Sequence, residues 1–325
     1  MTKIFLATFP FFAIILCGYG ATRFKLLPLE AIPGLNVFVL YFALPCMLFR
    51  FGAGTPIEKL LNYSVFATYC TAALLIVVIA ILTTRKGDTG WNDAAFGALV
   101  ASFPNTGFMG MPLLVSIAGP KVAGPLIISL SIDMIITSSL CIALSRLSNG
   151  SGAGMYRTVK DALKGVIINP LPWAILLGGA ASYMNLRVHG PIMHVIEMLA
   201  DTGSPMGLFA IGTVLARSHM TAAGSPGKQH MASDTMLIVS YKLVLHPLLV
   251  FGIGSLAMKA GLPLDWLSLS VLVFVAALPS ASNVSILAER FGARTERIAY
   301  IVLISTTLSF FTLSFVLALF FGDSI

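Results

Sequence analysis

The sequence predicts an all-α polytopic membrane protein. Ten transmembrane helices are expected in two inverted five-helix repeats, with the fourth and ninth helices broken where they cross. Three observations carry this expectation. The 325 residues are 57% hydrophobic and only 10% charged, whereas a soluble domain carries about 25% charged residues; 20 basic and 13 acidic side chains cannot coat a soluble globule of this size. The apolar residues fall into ten runs near the roughly 20 residues that a helix needs to cross a bilayer. Two of those runs, at corresponding places in the two halves, contain a proline followed by polar residues that an intact membrane helix does not tolerate.

The runs cover residues 4–21, 31–50, 61–84, 94–118, 123–145, 165–184, 193–216, 234–258, 266–288 and 298–321. The first follows Lys3 and superficially looks like a signal peptide. It leads straight into further runs, and Gly18 and Gly20 make a poor cleavage site, so it is expected to remain as a helix. The second is rich in phenylalanine (Phe38, Phe42, Phe49 and Phe51), a pattern of lipid-facing or interhelix packing. Pro45 in the second run and Pro205 in the seventh are expected to kink both helices alike, and Gly207 and Gly212 to let the seventh approach its neighbours closely. The Gly- and Ser-rich stretch 147–162 separates a first five-helix repeat, 1–146, from a second, 163–325, and should be a cytoplasmic linker. Cys17, Cys46, Cys70 and Cys141 all lie in apolar runs without metal-ligand spacing, so packing is expected and no disulfide or metal.

Orientation follows from the basic residues of the connections. Arg23, Lys25, Arg85, Lys86, Arg146, Arg157, Lys160, Lys164, Arg217, Lys228, Arg290, Arg294 and Arg297 fall on one side; Lys3, Arg50, Lys59, Lys121, Arg187 and Lys259 fall on the other. The first side should be cytoplasmic, which puts both termini outside. A net charge of +7 scattered in this way sets topology and is no signal for nucleic acid. Five helices per half force the second half to enter the membrane from the opposite face, so repeats must be inverted. Pro45-Cys-Met-Leu48-Phe49 matches Pro205-Met-Gly-Leu208-Phe209. Ala101-Ser-Phe-Pro104-Asn105 matches Ala276-Ala-Leu-Pro279-Ser280. Interrupted segments at corresponding positions of two halves point to a transport site.

The fourth run reads Ala101-Ser-Phe-Pro-Asn-Thr-Gly-Phe-Met-Gly-Met-Pro112. Pro104 lacks an N–H and clashes with the preceding turn, Phe103 is pushed out of helical geometry, and Gly107 and Gly110 loosen the backbone. The ninth run breaks at Pro279, followed by Ser280, Ser282, Asn283 and Ser285. Broken backbone at membrane depth survives only inside protein or along a watery cavity. Where the breaks cross, two half-helix N-termini would converge with unpaired N–H groups and partial positive charge, a setting for a small anion. The expected substrate-binding residues are Pro104, Asn105, Thr106, Gly107, Pro279, Ser280, Ser282 and Asn283. Ionisable residues within spans are functional candidates by default: Asp133 in the fifth, and Lys242 and His246, four apart and therefore on one face, in the eighth. Asp133 and Lys242 are expected to face the same interior, either as a structural pair or as part of a charge network that carries a coupling proton. Glu197 and Asp201 share a face near the start of the seventh.

Phe38-Val-Leu-Tyr-Phe-Ala-Leu-Pro45, Pro104-Asn-Thr-Gly-Phe-Met-Gly-Met-Pro112 and Ala277-Leu-Pro-Ser-Ala-Ser-Asn283, together with the ten-helix plan, resemble the auxin efflux carrier family in its short bacterial form. The resemblance covers nearly the whole chain. It implies a five-plus-five inverted-repeat fold similar to that of bile acid:sodium symporters, and transport of small organic anions, malonate or related carboxylates among bacterial members. It also implies a scaffold of the first, second, sixth and seventh helices that forms homodimers. In plant relatives an asparagine beside the proline of each crossing helix contacts the substrate carboxylate. Asn105 matches that position; Asn283 lies four residues after Pro279. The large hydrophilic loop of the plant carriers is reduced here to 147–162.

The expected function is therefore secondary active transport of a small organic anion, such as malonate, in the bacterial inner membrane, without a cofactor. A membrane receptor or sensor with a transporter-like fold is the alternative, and so is a sodium-coupled symporter using Ser280, Ser282 and Asn283. The residues leave proton, sodium or no coupling open. No Gly-x-x-x-x-Gly-Lys-Ser/Thr motif for ATP exists in the chain, and no HExxH or GxSxG motif of an intramembrane enzyme.

Overall fold

A computed structural model of the chain describes residues 2–85, 89–146, 167, 169–186, 188–222 and 228–322; the 147–162 linker lies outside these. The described residues are helical almost throughout. In order they form α1 (Thr2–Arg23), α2 (Ala31–Ala53), α3 (Tyr63–Thr84), α4 (Trp91–Ser102), α5 (Thr106–Ala118) and α6 (Pro120–Ser145). Then follow α7 (Pro170–Tyr183), α8 (Gly190–Ala222), and α9, which runs from Lys228–Ser240 through a π turn into His246–Lys259. The chain closes with α10 (Trp266–Ala277), α11 (Asn283–Arg290) and α12 (Thr295–Phe321). Six helices among the described residues are long and apolar enough to cross a membrane, and shorter apolar helices include Thr106–Ala118 and Trp266–Ala277. The protein is a multi-pass membrane protein.

Local chemistry sets the helix ends. The side chain of Asn62 accepts from the Val65 N–H at 3.1 Å and starts α3. Asn169 accepts from Leu171 at 3.0 Å, with Pro170 at the first helical position, and starts α7. Asp265 accepts from Ser268 at 3.2 Å and starts α10. In each case a side-chain oxygen satisfies one of the orphan N–H groups of the first turn. Gly119, at φ +77°, makes the tight turn from α5 to α6.

Proline also leaves a mark inside the helices. π turns occupy Val39–Ala43, Thr106–Gly110 and Tyr241–Leu245, and each is followed within two residues by a proline: Pro45, Pro112 and Pro247. A proline ring crowds the carbonyl four residues back, and a wider turn relieves that crowding. A fourth π turn, Ile132–Thr137, carries Asp133 and has no such proline. Pro205 lies inside an uninterrupted α8. Pro45 and Pro205, expected to kink their helices alike, differ in their local turns: only the first is preceded by a π turn.

The helices pack as two bundles. α1 lies along α8, and α2 lies along α7 and α8. The second bundle joins α3, α4, α6, α9, α10 and α12. Gly18 and Gly212 bring α1 and α8 together: a Cβ on Gly212 would stand 2.0 Å from the Ile15 carbonyl oxygen, and one on Gly18 2.1 Å from that of Phe209. An ion pair of 2.6 Å between Arg50 and Asp201 ties α2 to α8.

Candidate substrate site at the helix crossing

α4 stops at Ser102 because Pro104 cannot donate to the carbonyl of Val100. Phe103–Asn105 is not helical, and the chain resumes as α5. The second break, Leu278–Ser282, lies between α10 and α11. The two breaks meet. Pro104 and Ser280 form an antiparallel bridge; the Asn105 N–H donates to the Pro279 carbonyl at 2.8 Å, and the Ala281 N–H to the Phe103 carbonyl at 3.0 Å. Backbone groups of the two breaks are thus paired across the crossing, as buried backbone requires.

Side chains complete this pairing. The Ser280 hydroxyl donates to the Val100 carbonyl at 2.7 Å, in the place of the donor that Pro104 lacks. The Ser280 N–H donates to the Ser305 hydroxyl at 3.2 Å. That leaves the carbonyl of Ala276 in the last turn of α10, and Lys242 donates to it at 3.1 Å. An ammonium group at a helix C-terminus is favoured by the helix dipole.

Asn105, Pro104, Gly107 and Asn283 face a cavity of about 20 Å³ between the bundles, large enough for little more than one water. Leu44, Leu48, Leu130 and Met134 form its other walls. Asn105 is 2% exposed and Thr106 fully buried. Asn105 Oδ1, Thr106 Oγ1 and Asn283 Oδ1 all lack a hydrogen-bond partner. The backbone N–H groups of Thr106, Gly107 and Phe108 stand at the start of α5, ahead of the amides of Met109 and Gly110, which bond the Asn105 carbonyl at 3.1 Å. The small cavity shares Leu40, Phe108 and Asn283 with a vestibule of about 300 Å³. Ser282, Ser285, Arg217, Glu289, Thr295 and Asn36 also line that vestibule.

The structure therefore separates the residues singled out in the sequence into three places. Pro104, Asn105, Gly107 and Asn283 line the crossing cavity, with Thr106 beside them, and Ser282 and Asn283 line the vestibule. Pro279 and Ser280 form the bridge itself, and the Ser280 hydroxyl is committed to Val100. Asp133, Lys242 and His246 are fully buried together behind the crossing and line neither cavity. Asp133 and Lys242 are both fully buried and make no direct ion pair with each other. Asp133 accepts a hydrogen bond of 2.8 Å from Tyr69, whose ring lies 5.9 Å from that of His246. Lys242 Nζ and His246 Nδ1 are 3.3 Å apart, which fits their i, i+4 spacing. Tyr69 had no sequence signal of its own, being one aromatic residue in an apolar run. Among the described residues, no group of three His, Cys, Asp or Glu could hold a metal ion.

Asn283 is not the positional twin of Asn105. The second break is five residues long, Leu278–Ser282, and the first three, Phe103–Asn105. Asn105 immediately precedes α5, whereas Asn283 is the first residue of α11. The longer loop still carries Asn283 to the same cavity.

A broken-helix crossing between two apolar bundles is matched by the sequence as a whole: residues 3–317 match the family described as "Membrane transport protein". The chain belongs to this family, the auxin efflux carrier family. It is 28% identical over 319 residues to the "Putative malonate transporter" of Rhizobium meliloti (strain 1021), covering 97% of this chain and 95% of that one. It is 26% identical over 295 residues to "Uncharacterized transporter YfdV" of Escherichia coli (strain K12), covering 88% of each. It is 24% identical over 367 aligned positions to "Auxin efflux carrier component 8" of Arabidopsis thaliana, covering 94% of this chain and 96% of the plant protein. The protein is a membrane transporter of this family.

Proposed function

We propose that this carrier moves a small organic anion, a carboxylate such as malonate, by alternating access around the helix crossing. One observation carries the reading: Asn105 and Asn283 come from opposite halves of the chain, border one small cavity, and each hold an amide oxygen that nothing in the protein satisfies. Buried polar atoms without partners are rare in native proteins, and a ligand is the natural partner here. The unpartnered atoms are amide oxygens, which accept, so a carboxylate needs each amide turned over to bring its NH₂ to the cavity. So turned, with the Thr106 hydroxyl and the first amides of α5, they offer a carboxylate several donors without adding fixed charge. The similarity to a protein named as a malonate transporter supports a carboxylate.

The finer architecture belongs to the same proposal. Counting each broken pair once, α1–α6 and α7–α12 supply five spans each, and the reciprocal hydrogen bonds around Pro104 and Ser280 have the local twofold character expected of inverted repeats. The basic-rich side faces the cytoplasm of a bacterial inner-membrane protein with both termini outside. The vestibule beside Arg217 and Thr295 then opens inward, and the bundle of α1, α2, α7 and α8 serves as a scaffold that dimerises. The buried Asp133, Lys242 and His246 are the candidates for a coupling proton, and Ser282 with Asn283 for a sodium contact.

Uptake of labelled carboxylates by purified protein in liposomes, with sodium and pH varied independently, tests this reading. At least one carboxylate should accumulate above protein-free liposomes. Ligand binding with no flux for any of them would instead favour the receptor reading.

A further inference from the structure

We propose that Arg85, Arg146 and Arg290, at one end of the second bundle, form a docking site for the headgroup of an anionic phospholipid. Each stands where an apolar span reaches the headgroup layer. Arg85 directly follows the span Ile57–Thr84, and Arg146 the span Pro120–Ser145. Arg290 ends α11, just before the span Thr295–Phe321. Contacts between the elements gather the three at one place. The Arg85 guanidinium lies over the Trp91 ring, 3.9 Å from its centroid. Asn92, the next residue, donates to the Phe291 carbonyl at 3.1 Å. The Phe291 ring takes the other two guanidiniums, Arg146 at 5.2 Å and Arg290 at 6.0 Å. That ring is itself held near Phe96, with centroids 6.2 Å apart.

Charge at this end is unbalanced. Asp93 and Asp234 are taken by Arg294 and Arg297, and Glu289 and Glu296 line the vestibule. Arg85, Arg146 and Arg290 make no ion pair among the described residues. Three clustered cations repel one another and gain from a shared anion. Stacking occupies the face of a guanidinium and leaves its edge N–H groups free, the fork that fits two phosphate oxygens. Membrane topology calls for basic charge on one side, but not for guanidiniums fixed on aromatic rings. Leu82 and Val78, exposed one and two turns before Arg85 on α3, give acyl chains an apolar surface beside the site. That combination fits a lipid better than free phosphate. None of the three arginines lines the crossing cavity or the vestibule, so the proposal is independent of the substrate.

The test titrates the purified chain, in a neutral detergent, with short-chain phosphatidylglycerol, phosphatidylcholine or inorganic phosphate, and reads the thermal midpoint. Phosphatidylglycerol should raise the midpoint with a half-effect at least about tenfold lower in concentration than phosphatidylcholine, a modest share of what three basic residues gain at an anionic surface. Replacing all three (Arg85→Gln, Arg146→Gln and Arg290→Gln) should abolish that preference. Replacing Arg23→Gln and Lys25→Gln, at the end of α1, should leave it intact. A preference kept by the triple variant, lost equally in the α1 variant, or absent from the wild type would overturn the proposal. Equal stabilisation by inorganic phosphate would make this a site for a soluble anion and overturn the lipid assignment. Should the triple variant fail to fold, Arg146→Lys replaces it: the charge stays, the fork is lost, and the half-effect concentration should rise by about threefold or more. An unchanged half-effect in folded Arg146→Lys would likewise overturn the proposal.

Discussion

Pro104 leaves the Val100 carbonyl without its helical donor, and a hydroxyl from the other half of the chain, that of Ser280, fills the gap at 2.7 Å. Ser280 was singled out in the sequence for polarity at a break; the structure uses it to close the break. Ser280→Ala should therefore cost about 1–3 kcal/mol by stranding a buried carbonyl, read as a lower thermal midpoint in detergent. An unchanged midpoint would mean that the carbonyl finds another partner. Lys242 works in a similar way, donating to Ala276 where α10 ends. Its buried charge was legible as exceptional, because charged residues in apolar spans are rare. Its acceptor was not legible, since that depends on which carbonyl Pro279 and Ser280 leave free. Asn105 was legible from its place beside Pro104. The position of Asn283 depended on loop length, which residue types alone do not set.

At the scale of elements, two glycines of α8 separate packing from motion. Gly212 faces the backbone of α1, where a Cβ would lie 2.0 Å from the Ile15 oxygen. Gly207 faces α5 across the bundle boundary, where a Cβ would lie 2.3 Å from the Phe108 ring. A backbone cannot turn aside and a side chain can. Gly212→Ala should destabilise the protein by about 1–3 kcal/mol through overpacking. Gly207→Ala should keep most of the stability and instead alter uptake, because Phe108 stands between the crossing cavity and the vestibule. Thermal midpoints and uptake rates measured together check this; the opposite ranking of the two variants would contradict it. The runs of the sequence place the helix ends to within about six residues, as with 234–258 against an observed α9 of Lys228–Lys259. The π turns were missed, although a proline two residues beyond three of them was a usable signal. Pro205 shows the limit of that signal, since α8 absorbs it without a break.

For the whole molecule, the apolar composition and the paired breaks made the class and the meeting of two interrupted helices legible. The vestibule was not. Its walls draw on Asn36, Arg217, Ser285 and Thr295, residues far apart in the chain that no spacing connects. The proposed orientation, read from the basic residues of the connections, puts them on the cytoplasmic side. In a variant with the four native cysteines replaced, Thr295→Cys should react with a membrane-impermeant maleimide in inside-out vesicles and not in right-side-out ones. Lys59→Cys, in the turn before α3, should show the reverse. Labelling of Thr295→Cys from the outside would invert the proposed orientation.

The central claim is that the substrate carboxylate sits where the two broken helices meet. The measurement closest to it is uptake of a transported carboxylate by Asn105→Ala in liposomes, beside the thermal midpoint of the same preparation. Removing a ligand-facing amide should lower uptake by about tenfold or more with little change in the midpoint, because the Asn105 side-chain oxygen holds nothing in the unliganded protein. Wild-type uptake by a folded Asn105→Ala protein would place the substrate elsewhere.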